Sequence, residues 1–231
     1  MAAFVAALAL MAVQLLVGRL HIVEALPRPV WSSFAAGVSV SYIFVRLLPE
    51  LFEAAGRRDA IDLVSVTALL GLATAYVLET LAIRRSQPGG GGRAGSVPGA
   101  SFWLHIVGFG MYNALIGFVL VHLEPGADTA LPWFAVAMAF HMLVNDGGLR
   151  DRFGEAFDRT GRPALAAAVP LGWAIGWVTP LPREADLLPA SFLAGAVILS
   201  SIKGELPAER DVRLWSFLLG LTLYGGLLLL I

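Results

Sequence analysis

Cysteine is absent from this 231-residue chain, which excludes a disulfide framework, a thiolate metal site and a cysteine nucleophile. Charge is scarce as well. Asp, Glu, Lys and Arg make up 14% of the residues and almost cancel to a net charge of −1, so no general attraction to nucleic acid is expected. Hydrolytic signatures of the GxSxG or HExxH type do not occur, and Ser32, Ser33, Ser39, Ser41, Ser200 and Ser201 have no sequence-adjacent histidine. The GGGG run at positions 89–92 follows no strand pattern and opens no helix, so it reads as linker and not as a phosphate cradle. An enzyme is not expected.

Apolar sequence is what the chain has in abundance. Hydrophobic residues reach 58% with a mean hydropathy of +0.76, well beyond an ordinary soluble domain. Eight apolar segments stand out, near 2–18, 30–52, 61–83, 101–122, 131–147, 163–180, 187–202 and 214–231. Because about 20 helical residues cross a hydrocarbon core of roughly 30 Å, the reading is an all-α polytopic membrane protein, with its shorter spans borrowing flanking residues. Met1 to Gly18 lacks a basic leader and a small-residue cleavage pattern and reads as the first span, not as a removed signal peptide.

Basic residues sort between alternate loops. Arg19, Arg28, Arg84, Arg85, Arg93, Arg150, Arg152, Arg159, Arg162, Lys203, Arg210 and Arg213 fall on one side, and Arg57, Arg58 and Arg183 on the other. Positive-inside bias therefore predicts termini outside, and Trp31, Trp103, Trp133 and Trp215 begin spans where interfacial anchors belong. Compact loops suggest a bacterial plasma membrane. Residues 86–100, SQPGGGGRAGSVPGA, form a flexible inner linker that separates spans one to three (1–85) from spans four to eight (101–231) within one membrane domain. Gly172 and Gly176, with Gly108, Gly110 and Gly117 on span four, predict close helix contacts.

Charges at membrane depth cost at least roughly 2.5–3.5 kcal/mol each unless paired or hydrated. Span two ends VRLLPEL, with Arg46 and Glu50 on one helical face around Pro49; span seven ends SIKGELPAE, with Lys203, Glu205 and Pro207. The two segments leave the membrane on opposite sides, as in an inverted repeat. Between them, span four carries Tyr112 and Asn113, and span five carries His141 and Asn145 one helical turn apart with Asp146 beside them. Imidazole nitrogen and carboxylate oxygen suit zinc or another divalent first-row metal, and an amide oxygen is a weaker ligand. His21, His105 and His122 lie near span ends and read as interfacial.

RLLPE, YNALIG, HMLVNDGGL and KGELP resemble four signature segments of the ZIP zinc and iron transporters. The resemblance implies eight helices in a 3+2+3 arrangement, with a divalent metal passing between helices four and five. It places metal-site positions on Tyr112, Asn113 and Ile116 of helix four, on His141 and Asn145 of helix five, and on Arg46 of helix two. Ile cannot coordinate, and the inner loop has no histidine, so the implied metal site is degenerate. Arg46 and Lys203 would supply permanently the positive charge that a metal supplies elsewhere. The expectation is a divergent ZIP-like transporter, with His141, Asn145, Asp146 and Asn113 holding at most a weakly bound divalent metal such as zinc. The alternative is a non-transporting membrane scaffold that keeps the fold. Partners expected are the lipid bilayer, a metal ion and further copies of the chain.

Overall fold

A computed structural model describes residues 1–17, 28–84, 99–123, 130–203 and 213–230. Among these residues the chain is all-helical, and its helices form eight rods. They are α1 (Ala2–Val17), α2 (Arg28–Tyr42) continued by α3 (Leu48–Ala55), α4 (Arg58–Arg84), α5 (Ala100–His122), α6 (Ala130–Phe153), α7 (Arg162–Val178), α8 (Arg183–Lys203) and α9 (Leu214–Leu229). Four stretches are long and apolar enough to cross a membrane: Val30–Ala55, Arg58–Leu81, Ala100–His122 and Ala185–Ile202. Ala2–Leu16 and Leu214–Leu229 are apolar but shorter. The α6 rod runs past the expected 131–147 to Phe153, and the expected linker ends one residue early, because Ala100 already belongs to α5. Large apolar side chains face outward on several rods, among them Leu69, Met111, Trp177 and Leu223, as a lipid solvent allows.

Prolines shape two of the rods. Pro49 and Pro163 have no N–H to give to a carbonyl four residues back, and in both places the helix widens by one residue just before the proline. Ile43–Leu47 and Phe157–Gly161 are π-helical, with Leu48 N–H donating to Ile43 O and Arg162 N–H donating to Phe157 O. The first turn carries Arg46, and the second carries Asp158 and delivers Arg162 at its exit. Gly154, at φ 53°, takes the left-handed conformation that breaks α6 from this second turn.

Packing repeats one device three times. The closest helix pairs are α2 with α9, α4 with α8 and α5 with α7, nested in sequence around α6. Each pair carries one glycine on each helix: Gly37 with Gly220, Gly71 with Gly195, Gly117 with Gly172. A Cβ on any of the six would overlap a backbone carbonyl of the partner helix, and that carbonyl always belongs to the residue three before the partner's glycine. Phe217, Phe34, Phe192, Ala68, Val169 and Ala114 supply those carbonyls. Lipid gives no hydrophobic drive between helices, so this close backbone approach, with its dispersion and Cα–H···O contacts, is what holds such pairs.

The core fills the space the pairs enclose. Leu10, Tyr42, Ile43, Leu47, Ile116, Phe134, Met138, Met142 and Leu193 are buried together, and α1 packs onto α6 and α7. A second cluster of Phe102, Ile106, Leu149, Phe157 and Leu165 gathers at the end of the molecule where α5 begins and α6 finishes.

Candidate functional site

The four expected ligands separate into two hydrogen-bonded sets. Adjacent residues on a helix point about 100° apart, so Asn113 leaves Tyr112, and Asp146 leaves Asn145, on another side of its rod. Asn113 and Asp146 join one set; His141 and Asn145 join the other, with the Tyr112 ring against the imidazole.

The first set is charged, and every group in it but Arg162 Nε is paired. Gln14 of α1 donates from Nε2 to Asp146 Oδ1 at 2.8 Å and accepts at Oε1 from Asn113 Nδ2 at 3.0 Å. Asn113 Nδ2 also donates to Leu165 O at 3.0 Å. Arg162 donates from Nη1 to Asp146 Oδ2 at 3.2 Å and to Gln14 O at 3.3 Å, and from Nη2 to Asp158 Oδ1 at 2.8 Å. Its guanidinium carbon lies 5.1 Å from the Phe157 ring centroid, and Asp158 is held on its other oxygen by Arg150 at 3.2 Å. Two acids and two guanidiniums thus balance, and the set ties α1, α5, α6 and α7 together. The positive charge beside Asp146 is a resident arginine.

The second set is neutral and incomplete. His141, 1% exposed, accepts at Nε2 from Asn145 Nδ2 at 2.9 Å, with its Nδ1 3.4 Å from Ser201 Oγ of α8. In that arrangement the ring proton sits on Nδ1 and faces the serine oxygen. The Tyr112 ring centroid lies 5.3 Å from the imidazole, and the Tyr112 hydroxyl is buried without a hydrogen-bond partner. A serine beside a histidine suggests a nucleophile and its base. Ser201, however, sits inside α8, whose peptide N–H groups bond back along the chain and so are not turned toward its hydroxyl.

Other expected positions fall elsewhere. Arg46 and Glu50 form an ion pair within their own rod, partly exposed on its surface. Ile116 is fully buried in the core. His105 is buried within the protein near the start of α5, and its Nδ1 contacts Ser101 O at 2.7 Å; His122 contacts Phe118 O at 2.9 Å and Thr179 O at 3.3 Å. Lys203 closes α8, but its side chain lies outside the described residues, as do Glu205, Pro207 and His21. Among the described residues no group of three or more His, Asp or Glu side chains is placed to hold a metal ion.

Sequence reasoning passed over Gln14, Asp158 and Arg162 as site residues, and credited Ser201 with nothing. Gln14 was the visible signal, a lone amide in an otherwise apolar helix, AAFVAALALMAVQLLV. Asp158 and Arg162, four apart, were the other. The chain matches no protein-family model and no curated protein. Chemically, the His141 set offers phenol, imidazole, amide and hydroxyl groups, which suit hydrogen bonding to a small polar species better than caging a bare divalent cation.

Proposed function

We propose that the chain is a divergent ZIP-like membrane transporter, with eight spans in a 3+2+3 arrangement, termini outside, and a solute path that passes the His141 set. The observation that carries this reading is the Tyr112 hydroxyl, buried beside His141 with no partner. Leaving a buried hydroxyl unpaired costs about 1–3 kcal/mol, a cost that a bound polar ligand would relieve. The cargo is taken by hydrogen bonds from Tyr112, His141, Asn145 and Ser201. A divalent metal such as zinc would be held only weakly, through one imidazole and water, with Asp146 already paired to Arg162.

A second reading has its own support. The Arg162 network fastens four helices as a structural core would, which favours a non-transporting scaffold in the bacterial plasma membrane. Reconstituted liposomes separate the two. Uptake of zinc or another divalent ion by wild type, abolished in His141→Ala and reduced in Tyr112→Phe, supports transport through this site. Absence of uptake of every divalent ion and small polar solute tried, by correctly folded protein, moves the reading to the scaffold.

A further inference from the structure

A cavity of about 480 Å³, within the range of small-molecule sites, lies between α4, α5 and α8. It exists because small residues meet there: Gly71, Ala75, Gly108 and Ala196, with only the Leu78 side chain within 4 Å of where a Gly108 Cβ would be. Along α5 its wall runs from Leu104 to Leu115, about 16 Å at 1.5 Å per residue. Its rim faces outward between α4 and α5, where Leu78 is 36%, Val107 56% and Met111 71% exposed. On apolar spans that rim meets hydrocarbon, so the way in is from the bilayer.

Hydrocarbon makes up most of the wall, and the charge on it is an acid. Gly71 packs on Phe192 O of α8 while Leu78 reaches Gly108 of α5, so Glu79, His105 and Ser200 gather at one end and Leu115 and Phe192 at the other. The described residues of the wall include no lysine or arginine. Glu79 lies within the apolar Arg58–Leu81 span, and carboxylates at such positions are costly and mark ion or substrate sites when they are not simply paired. Its neighbours at that end also present acceptors. Ser200 Oγ gives its hydrogen to Ala196 O at 2.9 Å, which leaves its oxygen lone pairs, and with His105 Nδ1 donating to Ser101 O at 2.7 Å, Nε2 of the neutral ring is an acceptor.

We infer that this cavity takes a lipophilic organic cation from the bilayer, a hydrocarbon body carrying one positive charge, with that charge at Glu79. The apolar wall excludes a bare metal ion, which needs several oxygen or nitrogen ligands, and the acidic end repels an anion. A neutral hydrocarbon fits the wall but gains nothing from the acid. A carboxylate has two oxygens and about four lone-pair sites, so Glu79 serves a ligand without giving up its contacts within the protein. Tyr112 and Asn145 form part of the wall, so an occupant lies beside the His141 set. Its binding does not require that any solute be transported.

The test uses two ions of one shape and opposite charge, tetraphenylphosphonium and tetraphenylborate, and reads saturable binding to the detergent-purified protein by equilibrium dialysis. Wild type is compared with Glu79→Gln, which keeps the side chain's size, with Gly108→Phe, which fills the cavity, and with Leu223→Phe on an exposed position of α9. Wild type and Leu223→Phe should bind tetraphenylphosphonium and not tetraphenylborate. Glu79→Gln should weaken that binding roughly tenfold or more, as loss of a contact to a charged group does, and Gly108→Phe should abolish it. Equal binding of the two ions overturns the proposal, as does unchanged affinity in Glu79→Gln, unchanged binding by folded Gly108→Phe, or no saturable binding by folded wild type. A co-purified phospholipid that neither ion displaces marks a lipid site and overturns it too. Failure of both cavity variants to fold leaves the wild-type comparison of the two ions to decide, and equal binding there refutes it.

Discussion

Removing the guanidinium from Arg162 is the sharpest available test of how the α1, α5, α6 and α7 rods are joined. Its side chain is 6% exposed and that of Asp146 is 2% exposed, so Arg162→Met would leave a buried carboxylate with one strong partner, Gln14 Nε2 at 2.8 Å. Breaking a buried pair by removing one member costs about 3–5 kcal/mol. The surviving Gln14 bond offsets about 1 kcal/mol of that. Met also keeps much of the volume packed against Phe157, so cavity formation adds little. A net loss of about 3 kcal/mol is expected, read by equilibrium unfolding in bicelles. Adding Asp146→Asn removes the stranded charge while its oxygen still accepts from Gln14, and the double variant should regain about 1.5 kcal/mol or more relative to additivity. Asp158→Asn alone should cost less than about 1 kcal/mol, because Asp158 is 35% exposed and belongs to a rim pair with Arg150. Additivity of Arg162→Met and Asp146→Asn within about 0.5 kcal/mol would refute the coupled network.

Replacing Gly117 or Gly172 by Leu should force α5 from α7 and lower the unfolding temperature sharply, whereas Gly226→Ala, which meets nothing within 4 Å, should leave it unchanged; equal shifts would count against the glycine pairs. Tyr112→Phe should hold or raise stability by up to about 1 kcal/mol, since it removes an unpaired buried hydroxyl, while it lowers uptake in liposomes; a marked loss of stability would mean that the hydroxyl has a structural partner. A single cysteine at position 91 should react with an impermeant reagent only from the cytoplasmic side, and labelling from outside alone would invert the topology.

What the sequence makes legible is what lies within one helical turn or in bulk hydropathy. Arg46 and Glu50 are four residues apart, and their pairing is read directly from spacing. Gly172 and Gly176 stand out as a local pattern. Gly37, Gly71, Gly195 and Gly220 do not, because each has its partner on a helix far along the chain and looks in isolation like any membrane glycine. The same distance hides the first polar set. Gln14 reaches Asp146 across 132 positions, and Arg162 reaches the Gln14 carbonyl across 148. Arg162 is legible only as a loop charge that sets topology, although the widened turn before Pro163 carries it into the core. Adjacency misleads in the opposite direction. Asn145 and Asp146 look like one cluster in sequence, yet neighbouring residues face different sides of a helix, and the fold uses that divergence to give each its own partners.

The two polar sets also differ in what they resist. The Arg162 set makes charge-assisted bonds among α1, α6 and α7, Asn113 of α5 adds neutral ones, and Gly117 and Gly172 lock α5 to α7 besides, so these four rods form a unit that is expensive to open. Ser201 belongs to α8, which the Gly71 and Gly195 contacts bind to α4. The His141 set therefore spans a seam between separately fastened helices, and its bond across that seam is the long 3.4 Å contact from His141 to Ser201. A neutral hydrogen bond contributes about 1 kcal/mol, against several for breaking the buried ion pair. Of the two polar sets, the His141 set is the one with less to lose if its helices part, and beside it the Tyr112 hydroxyl is already unpaired. A ligand hydrogen-bonding to His141 Nδ1 would replace the contact with Ser201.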